Sequence, residues 1–336
     1  MDGAADPAAG AVEAPVTSVA VVGSGSIGVA WATVFAGAGR HVRIFEIDPV
    51  RRDLVPAETE TILAGLAEAG VLDGSAADAL ARITVWPTLA EAVRGVGYVQ
   101  ECIGEDVEVK RRMFADLDAL TAPDVVLASS SSTIETSRFA ADLSGRDRCL
   151  VVHPGNPPFF LRVAEVVPAP FTSARATRVA TDLLTQSGIA PILINEEIEG
   201  FVFNRLQGAL LREAYCLVRD GIVSPADLDT IVREGLGLRW SVIGPFATSE
   251  LNTRGGLRRH AEILGPVYAR MGLERGADDP WTSETVERVA VGIERALPHD
   301  SWDDNVRARD RAMLHLLAAR RGLHNPLHAG GDAAAG

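Results

Sequence analysis

Residues 18–28 read SVAVVGSGSIG. A β-favouring run passes directly into G-x-G-x-x-G, with glycines at Gly23, Gly25 and Gly28, and a helical pattern follows over residues 27–38. In such a strand–turn–helix the first glycine permits the tight turn, the second lets backbone approach a pyrophosphate, and the third lets helix and strand pack closely. The opening of the helix, at Ser26 and Ile27, presents unpaired N–H groups and a positive dipole end to phosphate. Eighteen residues beyond Gly28, Glu46 closes the second β run. A carboxylate there accepts the hydroxyls of an adenosine ribose and repels a 2′-phosphate, so the expected cofactor is NAD rather than NADP. Arg51 and Arg52, close behind, keep NADP open.

Outward from this turn, short β runs recur at residues 42–47, 98–103, 125–129, 149–152 and 192–194, most of them separated by helical patterns such as 108–120. Strands alternating with helices predict a mostly parallel sheet covered on both faces, an α/β Rossmann-type domain. After about residue 197 the β runs stop, and long helical patterns occupy 202–218, 257–271, 284–297 and 306–317. The expected organisation is a dinucleotide-binding domain over 17–197 and an all-α substrate and dimerisation domain over 198–322, with the active site in the cleft between them. Residues 1–16 and 323–336, rich in Ala, Gly and acid, are expected to be disordered tails. Residues 58–83 read as a helical hairpin inserted into the first domain. It has no basic residue before Arg82, but it carries Glu58, Glu60, Glu68, Asp73 and Asp78.

The 336 residues are 47% hydrophobic and 23% charged, an ordinary globular balance that excludes disorder over most of the length. A net charge of -13 argues against nucleic-acid binding, which draws on Lys and Arg. No apolar run approaches the roughly 18 residues needed to span a bilayer. The N-terminus lacks the basic start and apolar core of a signal peptide, so a cytoplasmic location is expected. Three scattered cysteines supply neither a disulfide framework nor a zinc site, and no metal is expected. Of the 32 basic residues a single one, Lys110, is lysine.

The chemistry points to residues 153–165, HPGNPPFFLRVAE. His153 ends a β run and Glu165 follows twelve residues later. Histidine exchanges protons near neutral pH, and a carboxylate partner fixes its tautomer and stabilises the imidazolium. His41, His260, His299, His315, His324 and His328 lack such company and are read as ordinary core or surface residues. Residues 129–133 contain four serines without the G-x-S-x-G elbow of a serine nucleophile, so they read as a cofactor-facing loop. Cys102 reads as a core residue.

These segments resemble the 3-hydroxyacyl-CoA dehydrogenase superfamily, and within it the λ-crystallin and L-gulonate 3-dehydrogenase branch. The likeness rests on VVGSGSIG, YVQECIGEDVEVK, ASSSSTIETS, HPGNPP, GFVFNRLQ, DGIVSPADLD and GLGLRWSVIGPF with LNTRGG. It implies that His153 is the catalytic base, that Glu165 orients it, and that Ser132 and Asn204 hold the reacting oxygen. It implies further that Glu105 and Lys110 line the cofactor. Asn156 and Arg239 are implied as substrate contacts beside Ser132 and Asn204, the alternative for Arg239 being a surface or dimer-interface arginine, and the LNTRGG loop offers Arg254 as a further candidate anion ligand. Relatives vary at the position of Gly155, and together with Phe159 and Phe160 it is expected to alter the pocket wall.

The resemblance implies a homodimer that oxidises the 3-hydroxyl of a small, L-gulonate-like hydroxy acid with NAD, reversibly. The rivals are a 3-hydroxyacyl-CoA dehydrogenase, a ketoreductase of a larger polyketide-type acid, and an NAD-binding structural protein of crystallin type.

Overall fold

A computed structural model describes residues 15–275, 281–294 and 297–321. The chain divides into two compact units, Met1–Asn204 and Arg205–Gly336. The first is built on an eight-stranded sheet: β1 Ser18–Val22, β2 His41–Phe45, β3 Ile83–Trp86, β4 Tyr98–Glu101, β5 Val126–Ser129, β6 Cys149–Pro154, β7 Val163–Pro168 and β8 Ala190–Leu193. Its order is β3-β2-β1-β4-β5-β6-β7-β8, and every neighbouring pair is parallel except β6–β7. The chain leaves β1 in one direction for β2 and β3 and in the other for β4 onward. That reversal opens a crevice at the carboxyl ends of β1 and β4, where ligands bind in sheets of this kind. Register aligns those ends, with Val22 opposite both Phe45 and Glu101, and Glu101 opposite Ser129.

The helices of this unit are α1 Ser26–Gly37, α2 Pro49–Glu68, α3 Ala76–Leu80, α4 Leu89–Ala92, α5 Val107–Leu120, α6 Thr136–Ala140 and α7 Ala174–Gln186. Most of β1 is buried, as the apolar run VAVV requires for a central strand covered on both faces. Trp31 of α1 stacks on Phe35 and its indole N–H donates to Ser130 Oγ at 3.1 Å, which ties the helix to the end of β5.

Two sequence expectations need correction. The helical hairpin expected over residues 58–83 is present as the packed pair α2 and α3, but it begins earlier, at Pro49. Asp48 caps the Val50 N–H, Pro49 takes the first helical position, and α2 runs from there as part of the crossover from β2 to β3, with Ile83 already in β3. Residues 163–168 form a strand that the single-sequence pattern did not reveal, because Glu165 interrupts its apolar run.

In the second unit, α8 Phe203–Arg219, which begins at the end of the first unit, leads to α9 Pro225–Thr230, a π-helical stretch Ile231–Gly237, and α10 Leu238–Trp240. Then come α11 Pro245–Asn252, α12 Gly256–Arg275, α13 Ser283–Glu294 and α14 Trp302–Arg321. These helices leave Phe246, Leu273 and Trp302 more than half exposed. Among the described residues no helix is long and apolar enough to cross a membrane. Most of the expected tails, with His324 and His328, lie outside the described residues.

Candidate active site

Gly23 turns the chain at φ 97°, and a Cβ there would press on the Cys102 carbonyl at 3.1 Å. At Gly28 a Cβ would lie 1.9 Å from the Gly23 carbonyl oxygen, so no other residue fits without opening the turn. Gly25 faces open space and precedes α1 with no side chain capping the helix. Ser26 and Ile27 form its first turn, so the unpaired N–H groups point into cleared space. Glu46, just past β2, reaches this loop. One carboxylate oxygen accepts the Ser24 hydroxyl at 2.7 Å and the Ser24 N–H at 3.2 Å; the other accepts the Asp48 N–H at 2.9 Å. Partial burial pushes its carboxyl up, but these hydrogen bonds outweigh burial and hold it below the usual carboxylate value. A bare helix start beside an ionised carboxylate fits a dinucleotide whose ribose keeps its 2′-hydroxyl.

Glu105 is exposed on the loop after β4. Its carboxylate accepts the Ser131 hydroxyl at 2.9 Å and the Ser132 N–H, and so fastens the serine loop after β5. Lys110 has a different placement from the one expected of a cofactor contact. It is 1% exposed, and its ammonium donates to both oxygens of Glu101, at 3.0 and 2.9 Å, and to Ser129 Oγ at 3.4 Å. Three acceptors meet three N–H donors, so Lys110 joins β4, β5 and α5 from beneath the loop and has no donor left for a ligand. Burial pushes the Glu101 carboxyl up against the pull of that ammonium.

His153 and Glu165 stand opposite one another across the antiparallel β6–β7 pair, with Nδ1 and Oε2 2.7 Å apart. Both side chains are almost wholly buried. The second oxygen of Glu165 accepts the Val202 and Phe203 N–H groups at 2.8 and 2.9 Å, at the start of α8. Burial pushes the Glu165 carboxyl up, but the bonds from His153, Phe203 and Val202 prevail and hold it low. An ionised carboxylate on Nδ1 selects the tautomer with hydrogen on that nitrogen, which leaves the lone pair on Nε2. Phe201 and Phe203 flank the imidazole, with ring centroids 5.6 and 6.1 Å away. Asn204 donates to the Ser132 carbonyl at 3.0 Å, which brings the serine loop and the start of α8 together.

Two hydrogen-bonded sets, His153 with Glu165 and Glu105 with Ser132 and Asn204, therefore meet at the start of α8, where Phe203 belongs to the first and Asn204 to the second. Asn156 is exposed on the loop after β6. A Cβ at Gly155 would meet the Leu161 Cβ at 2.7 Å, and Phe159 and Phe160 are buried against each other edge to face. These three residues shape the loop's own packing. Arg239 and Arg254 are exposed and belong to the second unit. His260 meets the Thr253 hydroxyl at 2.9 Å, an ordinary surface contact. Sequence reasoning missed Ser24 as the partner of Glu46, and Phe201 and Phe203 as the walls around His153. The segment GFVFN held the signal for the latter two, since the turn before α8, the helix start and Asn204 lie within it.

Residues 18–198 match the family described as 3-hydroxyacyl-CoA dehydrogenase, NAD binding domain, and residues 200–293 match 3-hydroxyacyl-CoA dehydrogenase, C-terminal domain. The chain is 38% identical to lambda-crystallin of Oryctolagus cuniculus, over 94% of this chain and 98% of that one. It is 34% identical to L-carnitine dehydrogenase of Streptomyces coelicolor, over 90% and 95% respectively. The solved structure of 5-formyl-3-hydroxy-2-methylpyridine 4-carboxylic acid 5-dehydrogenase, an NAD+-dependent dismutase, shares the fold with a TM-score of 0.76. It is 24% identical, over 91% of this chain and 97% of its own.

Proposed function

The chain belongs to the 3-hydroxyacyl-CoA dehydrogenase family of NAD-dependent oxidoreductases, and from that premise we propose that it oxidises the 3-hydroxyl of a small free hydroxy acid, L-gulonate-like, to the 3-keto acid, reversibly. His153 takes the hydroxyl proton at Nε2. Glu165 keeps Nδ1 protonated and stabilises the imidazolium as it forms. Ser132 and Asn204 hold the reacting oxygen, and Glu105 fixes Ser132 through its backbone N–H. NAD, held on the glycine turn, supplies the hydride acceptor when bound.

The observation that carries the choice of a free acid is the charge of the β2–β3 crossover. A CoA thioester brings at least three negative charges, whereas a free acid brings one. From Glu58 to Asp78 the crossover offers carboxylates and no cation. The two arginines before it are committed: Arg51 to Glu58 at 2.5 and 2.6 Å, and Arg52 to the Glu46 and Ile47 carbonyls at 2.9 and 2.8 Å. Like charges within about 4 Å cost on the order of 1–4 kcal/mol even at high effective dielectric, which weakens CoA binding by roughly tenfold or more. The L-carnitine dehydrogenase relative is named for a free hydroxy acid. Comparing kcat/KM for L-gulonate and 3-hydroxybutyryl-CoA tests the reading. A clear preference for the thioester overturns it.

The exposed apolar side chains Phe246, Leu273 and Trp302 of the second unit favour a second copy of the chain as partner. Sedimentation equilibrium checks this, and a monomer at micromolar concentration refutes it. A cytoplasmic location, in which the three cysteines stay free, completes the reading.

A further inference from the structure

At the adenosine end of the cofactor site a guanidinium and a carboxylate meet at one serine. Arg51, in the first turn of α2, donates from NH2 to the Ser24 carbonyl at 2.6 Å, and its Nε lies 3.4 Å from the Ser24 hydroxyl. That hydroxyl donates to Glu46 at 2.7 Å. An arginine in this position is the usual means of welcoming a 2′-phosphate, because its planar fork pairs two N–H groups with two oxygens. Left free, Arg51 would undo the selectivity that Glu46 imposes.

It is not free. Two turns along the same helix, Glu58 takes the fork with both oxygens, NH1 at 2.5 Å and NH2 at 2.6 Å. The two residues are seven apart, which places them on one face of α2. The pair is partly exposed, 30% for Arg51 and 43% for Glu58. A pair this accessible contributes little to stability, so its effect falls on what the guanidinium can bind. From this we infer that Glu58 is a cofactor-specificity residue: by occupying Arg51 it withholds from a 2′-phosphate the guanidinium that reaches Ser24 beside Glu46, so the enzyme discriminates with two acids, one facing the ribose and one holding the arginine.

The inference rests on NAD occupying the glycine turn, and calorimetry on the cofactor-free protein separates the two questions. ADP and adenosine 2′,5′-bisphosphate differ at the 2′ position and by one phosphate at the 5′ end, a constant difference that cancels when variants are compared, and they need no turnover. In Glu58→Gln, the ratio of the dissociation constant for the bisphosphate to that for ADP falls by about tenfold relative to the parent protein. Adding Arg51→Met to Glu58→Gln restores the parent ratio, and raising the salt concentration shrinks the gain. NADP against NAD, measured in the same way, follows the same order. Thermal melts confirm that each variant is folded, as expected for a surface pair. An unchanged ratio in folded Glu58→Gln overturns the inference, and so does a gain that survives loss of Arg51. Failure of the parent protein to bind NAD would remove the premise itself.

Discussion

Two acid–base pairs lie buried two strands apart in the same sheet, Glu101–Lys110 off β4 and His153–Glu165 across β6 and β7, and they have been put to opposite uses. The first is closed. Lys110 spends its donors on Glu101 and Ser129, and the Ser129 hydroxyl gives its own hydrogen to Glu101 at 2.6 Å. The second is closed on one side. Glu165 is saturated by His153, Val202 and Phe203, whereas Nε2 of the imidazole has no protein partner among the described residues. A buried pair with every donor taken joins elements together; a pair with one nitrogen unclaimed can pass a proton to something that is not part of the fold.

Substitutions can break this contrast. Removing the unclaimed base has the largest expected effect: His153→Ala lowers kcat by about 10²–10⁴-fold with little change in NAD affinity. Stopped-flow or steady-state rates beside NAD titration check this, and near-parental turnover would take His153 out of the chemistry. Lys110→Met strands a buried carboxylate and should cost about 3–5 kcal/mol of stability. Urea unfolding measures that cost, and parental stability with weakened NAD binding would return Lys110 to the cofactor.

Glu165→Gln is expected to lie between the two. A carboxamide has one acceptor oxygen, where Glu165 serves three donors. Its NH2 must therefore face either the imidazole or the start of α8. We expect a fall in kcat on the order of 10²-fold, with about 0.5–2 kcal/mol lost from the helix start. A change in rate with unaltered stability would separate the two duties.

The smallest expected effect is acid sensitivity. The Glu165 carboxyl is held low in the folded chain, so the stability it contributes is fully present above the ordinary carboxylate value of about 4.3. That contribution is lost as pH falls through the lower folded value. The Tm gap between the parent and Glu165→Gln should accordingly narrow on acidification from about pH 6 to pH 3. A gap that widens would contradict the assigned direction.

The legibility of these features in sequence follows chain distance. The β1–α1 turn was readable because its three glycines answer to backbone geometry within eleven residues. His153 and Glu165 could be paired by chemistry, but their contact comes from β7, a strand hidden by the very glutamate that matters. Lys110 stands out by its rarity, and the resemblance implies a cofactor contact for it. Its real partners come from the ends of two other strands, which no local pattern brings together. Arg51 was legible as a cation near Glu46, while the acid that occupies it is visible only once α2 is known to begin at Pro49 rather than near residue 58.

The burial of Lys110 also sets how the protein meets amine chemistry. It is the sole lysine of the sequence and is 1% exposed, so acylating and reductive-methylating reagents find no accessible ε-amine while the sheet is intact. Modification of Lys110 requires the β4–α5 region to open. The rate at which a lysine-selective reagent marks this one residue, followed by mass spectrometry, is thus a clock for that opening in the native protein, with no competing ε-amine to subtract.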